Sequence, residues 1–315
     1  MAGYWNKILE VNLSAGEIKE LEIGDDVYKE YMGGAGVGAW LMAQRVAGDT
    51  DPLGPGNPLI FMTGPLTGST IPGAATRYDV QARSPLTGIW GEASNGGRLG
   101  VQMKRAGIDG ILVTGASDKP VYLKVIDGKA SLEDASDLWG KNTYETMNTL
   151  RDRIKEETGK SPSVAAIGQA GENLVKFANI MNEDGNAAGR TGLGAVMGSK
   201  KLKAIAVSGT QKPSFADEEG LKALRKELAD KLGESIPVQS MTAFGTNGAM
   251  DLASMTGDLP IKNWTMSEWD DGVEKINGPM LADTLLTKNS ACFGCPVGCK
   301  RVVKVDDEKY KVPEG

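Results

Sequence analysis

The sequence predicts an α+β fold: a β-sheet-rich first domain over residues 1–210, then the start of a mainly α-helical domain over 211–315. Three observations carry this. Short apolar or alternating runs bounded by Gly, Pro and Asp recur throughout the first part. They are not separated by the evenly spaced helices of βαβ units. After Gln211-Lys212-Pro213 the pattern changes to leucines at 221, 224, 228 and 232, the spacing of one helix face.

Lys7 to Leu13 alternates, Ser14-Ala15-Gly16-Glu17 supplies a turn, and Ile18 to Ile23 completes a hairpin. Asp25 is a candidate cap for a helix to Met32, and Gly33 to Gly38 leads into another over Ala39–Val46. Those glycines superficially fit a dinucleotide fingerprint but follow a helix pattern rather than a strand, so close helix packing explains them better. Pro58–Thr63, Arg77–Ala82, Ile111–Thr114 and Val121–Ile126 read as strands, the last ending at an Asp127-Gly128 turn. Asn142 or Thr143 caps a helix to about Glu157 that Gly159 closes, and Ser163–Ile167 and Ala204–Val207 are further strands. Asp217–Leu232 opens the helical part.

The composition, with 40% hydrophobic and 24% charged residues, suits a chain that builds a sizeable core. A net charge of −6 without a basic stripe argues against nucleic acid, and no apolar run is long enough to span a membrane. The N-terminus lacks a signal peptide's apolar segment, and the only three cysteines are clustered. Together these predict a reducing, cytoplasmic setting. Histidine is absent, which removes Ser-His and Cys-His nucleophiles and His-based metal sites from these residues.

The cysteines fall in Ala291-Cys292-Phe293-Gly294-Cys295-Pro296-Val297-Gly298-Cys299, a C-x2-C-x3-C run. Thiolates so spaced on a glycine-punctuated turn fit three corners of a cubane iron–sulfur cluster, which needs four ligands. Zinc is the rival, although it usually closes with a second Cys or His pair. Three Gly-rich segments also carry polar residues that glycine neighbours leave accessible: Pro72–Arg77, Ala93–Arg98 and Gly185–Gly194. Arginine forks suit phosphate oxygens, and open backbone can turn N–H groups toward an anion. Each segment taken alone also reads as a structural turn. Glu172, flanked by apolar segments, reads as a hydrogen-bonded structural residue.

Taken together these motifs resemble the tungsten-containing aldehyde:ferredoxin oxidoreductase family. The resemblance runs through Gly64-Pro65-Leu66-Thr67-Gly68, Ser84-Pro85-Leu86-Thr87-Gly88, Ser94-Asn95-Gly96-Gly97 and Ile167–Asn173. Ala187-Ala188-Gly189-Arg190, Gly194–Lys200 and the cysteine run extend it. It implies that the first domain is a base for a tungsten bis-pterin cofactor, with Arg77 and Arg190 at the pterin phosphates and Asn95 near a bridging Mg2+. Ser94, Gly96, Gly97, Ala188, Gly189, Thr191, Gly192 and Leu193 belong to the same implied cofactor-binding set. Cys292, Cys295 and Cys299 are implied as three ligands of a [4Fe–4S] cluster.

The implied reaction oxidises an aldehyde to a carboxylic acid and passes electrons through the cluster to ferredoxin or a partner iron–sulfur subunit, in a protein that can form a homodimer. Asn186 stands where the family often has histidine, and the chain stops at Pro313-Glu314-Gly315, where an acidic motif is expected next. The resemblance therefore covers about the first half of such an enzyme, and the catalytic acid/base and fourth cluster ligand are expected beyond residue 315. Two alternatives share these residues: a tungsten subunit of benzoyl-CoA reductase type, and a truncated iron–sulfur electron-transfer scaffold. The metal itself, tungsten or molybdenum, is not specified by side chains.

Overall fold

A computed structural model describes residues 1–183, 185–310, 312 and 314. Pro313 and Gly315, at the point where the acidic motif is expected to follow, lie outside the described residues. Two compact units are present, Met1–Leu221 and Lys222–Gly315.

The first unit begins with β1 (Lys7–Asn12), β2 (Glu17–Glu22), α1 (Asp25–Tyr31), α2 (Gly34–Arg45), β3 (Leu59–Thr63), β4 (Tyr78–Arg83) and β5 (Trp90–Asn95). Next come α3 (Leu99–Arg105), β6 (Gly110–Thr114), β7 (Val121–Ile126), β8 (Lys129–Asp134) and α4 (Thr143–Thr158). The unit is completed by β9 (Ser163–Ala166), α5 (Gln169–Glu172), β10 (Ile180–Asn182), β11 (Asn186–Ala188), α6 (Leu193–Ser199) and β12 (Leu202–Ser208). These strands form two six-stranded mixed sheets, ordered β2-β1-β6-β3-β4-β5 and β11-β10-β9-β12-β7-β8.

The apolar faces explain the layering. Leu9, Val11, Phe61, Val80 and Ile111 from one sheet share a core with Leu123, Val125, Ile205 and Val207 from the other, together with Leu99 and Met103 of α3 and Val196 and Met197 of α6. The reverse face of the first sheet buries Ile8, Ile60, Met62 and Leu112 against Tyr28, Val37 and Leu41 of α1 and α2. The reverse face of the second buries Val164, Ala204 and Ala206 against Met147, Leu150 and Ile154 of α4. Strands covered on both faces lose their alternation, which is why β3 and β12 read as continuous apolar runs.

The α4 boundaries follow the sequence expectation. Asn142 accepts from the Glu145 amide at 2.9 Å while Glu145 accepts from the Asn142 amide at 3.0 Å, a reciprocal capping box. Gly159 ends the helix in the left-handed conformation.

Elsewhere the structure departs from expectation. Asp25 does not cap α1. It lies in the first turn, where its carboxylate takes the Asn6 amide and the N-terminal amine, and Gly24 holds the cap position. The second helix starts at Gly34, so the glycines are inside it. A Cβ on Gly38 would lie 2.1 Å from the Gln81 amide nitrogen, so the packing explanation for these glycines holds. Ser94 and Asn95 end a strand rather than sit in a free loop, and Asn186–Ala188 is a strand paired with β10.

The second unit, described by itself, holds most of α7 (Glu218–Glu234), then α8 (Ile236–Phe244), α9 (Met250–Met255), α10 (Asp270–Ile276) and α11 (Gly278–Thr284). An antiparallel pair follows, β13 (Leu286–Ser290) and β14 (Lys300–Val303). No residue of α7 is buried, so its leucine stripe is not the core face that its spacing suggests.

Candidate functional site

The edge strands β5 and β11 belong to different sheets and approach one another. The β4–β5 pairing sets Tyr78 opposite Asn95, which places Arg77 beside the Gly96 end of β5. Gly97 has φ +87°, and a Cβ there would lie 2.8 Å from Asn182 Oδ1 and 3.0 Å from Asn186 Nδ2. The Ser84 hydroxyl donates to the Thr191 carbonyl at 2.7 Å, and a Cβ on Gly91 would lie 2.9 Å from Thr191. Thus Arg77 and Ser94–Gly97 lie at one end of β5, where Gly97 meets Asn182 and Asn186, while Thr191 meets the other end of β5 at Gly91 and Ser84. Bare backbone is required where β5 passes the second sheet.

Beneath this junction is a polar network that sequence reasoning missed. Tyr78 is fully buried, and its hydroxyl accepts from Asn95 Nδ2 at 2.8 Å and from Asn182 Nδ2 at 3.0 Å. The same Asn182 nitrogen lies 3.0 Å from the Gly96 carbonyl, while Asn95 Oδ1 accepts from the Gly96 amide at 2.8 Å. Burial pushes the Tyr78 phenol far above its usual pKa, so the hydroxyl stays neutral. Asn182 Oδ1 is buried and has no hydrogen-bond partner among the described residues. No local pattern signals Asn182; only the tertiary approach of β10 to β5 makes it a support for the Ser94–Gly97 loop.

Charge on the outer rim is distinctive. Arg77, Arg98 and Arg190 are exposed, and none makes an ion pair among the described residues. Arg77 lines a cavity of about 240 Å³ with Gly64, Pro65, Leu66, Thr67, Ala74 and Asp79. Glu92 shares the Ser94 face of β5. Burial, then the hydrogen bond and charge of nearby Asp79, raise its pKa. Thr191 has φ +64° and Gly192 φ +73°, a reversal that leaves Arg190 outside before α6 begins. Holding Thr191 there costs about 1–2 kcal/mol, a strain the Ser84 bond helps to maintain.

Glu172 is remote from the rim in role: it accepts from the Gly140 amide at 2.9 Å and pairs with buried Lys203, as a structural residue should.

The cysteines lie in the second unit, on the loop joining β13 and β14. All three are half-buried, and none forms a disulfide among the described residues. Cys295 N donates to Cys292 O at 3.1 Å, and Gly294 and Gly298 take φ +67° and +59°. The turn keeps the three side chains on one loop without gathering them around one point: among the described residues no three Cys, Asp or Glu side chains are placed to hold a single ion. A cubane takes one thiolate per iron, whereas a zinc site gathers its donors on one ion. No helix among the described residues is long and apolar enough to cross a membrane.

Comparison with known proteins agrees across both units. Residues 8–209 match the family model "Aldehyde ferredoxin oxidoreductase, N-terminal domain", and residues 223–315 match "Aldehyde ferredoxin oxidoreductase, domains 2 & 3". The chain is 41% identical to a tungsten-containing aldehyde ferredoxin oxidoreductase of Thermococcus kodakarensis, over 97% of its own length and 50% of the relative's. It is 35% identical to the WOR-like subunit of an aliphatic sulfonate oxidoreductase of Pyrococcus furiosus, over 99% of this chain and 51% of that one. A solved structure, the BamBC active-site complex of benzoyl coenzyme A reductase with 1,5-dienoyl-CoA, superposes with a TM-score of 0.81 at 29% identity, covering 99% of this chain and 48% of the other. The chain spans about half the length of the curated relatives it matches.

Proposed function

The chain belongs to the aldehyde ferredoxin oxidoreductase family, and from that premise we propose that it is the cofactor-bearing part of a tungstopterin enzyme that oxidises an aldehyde to a carboxylic acid. In this reading residues 1–210 form the pterin base, and residues 211–315 bring the iron–sulfur cysteines. The observation that carries it is the rim of uncommitted guanidiniums beside glycine backbone at the sheet junction, where an anionic, phosphate-bearing cofactor finds charge-assisted donors.

Arg77 and Arg190 bind the pterin phosphates. Tyr78 and Asn182 hold the Ser94–Gly97 loop in place from below, and Gly97 lets it pack against Asn182 and Asn186. The Asn95 side chain is committed at both ends, to Tyr78 and to the Gly96 amide. Asn95 Oδ1, which keeps a second lone pair, the exposed Ser94 hydroxyl and the backbone carbonyls are the oxygen donors this loop would offer a Mg2+. Ser94, Gly96, Ala188, Gly189, Thr191, Gly192 and Leu193 complete the cradle. The bound tungsten supplies two-electron redox chemistry. Cys292, Cys295 and Cys299 would hold three corners of a [4Fe–4S] cluster, which would supply one-electron transfer toward ferredoxin or an iron–sulfur subunit.

The benzoyl coenzyme A reductase likeness supports a second reading, reduction of an aromatic thioester. The higher identity to the aldehyde enzymes favours the first. Replacing Arg77 or Arg190 by Ala in the full protein should lower pterin and tungsten content together, since each removes a charge-assisted bond worth about 1.5–3 kcal/mol. Full occupancy in both variants would remove the phosphate assignment.

A further inference from the structure

We propose that Arg301 is a positioning residue of the cysteine hairpin that also raises the reduction potential of the cluster held there, an inference that rests on the cluster assignment above. Arg301 is the second residue after Cys299, on β14. Its Nη1 donates to the Ala243 carbonyl at 2.9 Å, and its Nη2 to the carbonyls of Met241 at 3.1 Å, Thr242 at 2.9 Å and Gly298 at 2.9 Å.

Three of those acceptors belong to the last turn of α8, where a cation is favoured; the Met241 carbonyl also accepts from the Gly245 amide. The fourth is next to Cys299 in the chain. A single planar fork therefore ties the helix end to the thiolate-bearing turn, which a lysine's point charge cannot do as fully. Asn289 adds a second tie, donating to the Thr242 carbonyl at 2.9 Å. Gly245 closes the joint: with φ +64°, a Cβ there would lie 2.9 Å from the Cys299 carbonyl and 3.1 Å from Arg301 Nε.

The charge of this guanidinium is unbalanced. Its Nε is buried with no acceptor, and no carboxylate lies within ion-pair distance of Arg301 among the described residues. Carbonyl dipoles solvate the cation without neutralising it, and a partly buried charge calls for an opposite one. The same hairpin carries Cys299 two residues before Arg301, and its thiolates would bring negative charge to the hairpin when they hold a cluster. Net charge and hydrogen bonding are among the factors that set a cluster's potential. A fixed cation stabilises the reduced, more negative state, so it raises the potential.

The test is an EPR-monitored redox titration of the cluster in the full, metal-loaded protein, with iron analysis alongside, for wild type, Arg301→Gln and Arg301→Lys. The expected result is retained iron with a more negative midpoint in the Gln variant, and a midpoint near wild type in the Lys variant. Full iron with an unchanged midpoint in Arg301→Gln would overturn the proposal. If the Gln variant loses iron, the Lys variant decides. Iron and midpoint both restored supports the role of the charge, whereas failure to restore either leaves Arg301 a structural clamp and refutes the electrostatic role. Absence of iron from wild type removes the cluster assignment and this inference together.

Discussion

Lys200 offers a quantitative check on the packing of the first unit. Its side chain is buried, and its ammonium donates to the carbonyls of Gly115 at 3.1 Å and Pro55 at 3.4 Å, with no carboxylate at ion-pair distance among the described residues. Burial alone lowers its pKa from 10.5 to about 8. Below about pH 8 both folded and unfolded chains carry the proton, and the folded state bears the full desolvation cost. Between about 8 and 10.5 the unfolded chain binds the proton and the folded one does not, so stability rises with pH. Above 10.5 neither is charged and the cost is gone. The size of the rise is about 3 kcal/mol at 1.36 kcal/mol per pKa unit. Lys200→Met keeps the length and removes the charge, but it leaves two buried carbonyls short of a donor at about 1–3 kcal/mol each. Stability at pH 7 should therefore change little, while the stability gain between pH 8 and 10.5 should shrink by about 3 kcal/mol. Chemical denaturation at a series of pH values, read as wild type minus variant, cancels the contributions of the other buried lysines. Superimposable pH profiles for the two proteins would refute the reasoning.

Three further outcomes are expected. Asp109 pairs with buried Lys104 and accepts from the Trp5 and Asn6 amides at 2.8 Å each, so Asp109→Ala should cost about 3–5 kcal/mol and loosen the N-terminus, read as a lowered melting temperature and faster amide exchange at residues 5 and 6. Asn142→Ala removes the capping box of α4 and should cost about 1 kcal/mol in denaturant titration. Tyr78→Phe deprives the Asn95 and Asn182 amides of a shared acceptor. It should destabilise by about 1–3 kcal/mol and also lower pterin retention; unchanged retention would separate this network from the cofactor cradle.

The sequence made the strands with continuous apolar runs legible because helices cover both faces of their sheets. It hid β5 because Gly91 and Ala93 face the core where only small residues fit beside Thr191 and Ser84, so the segment lacks the branched residues that mark a strand. The site divided similarly. Arg77 and Arg190 stand out among glycines, whereas Tyr78 and Asn182 matter only through pairings between residues far apart in the chain. Lys300-Arg301 is plainly visible after the last cysteine, yet nothing in the sequence says that Arg301 turns back to the end of α8. The leucine spacing of α7 predicts a helix, as found, but periodicity reports an apolar face and not what covers it, and no residue of α7 is buried.

In the proposed function this chain carries both a tungstopterin base and an iron–sulfur hairpin of one enzyme. The most direct test is elemental mass spectrometry for tungsten, molybdenum and iron on the native full protein purified without oxygen. The account predicts tungsten together with roughly four irons per protomer. Iron without tungsten or molybdenum would contradict the pterin base, and the absence of all three would contradict the account as a whole.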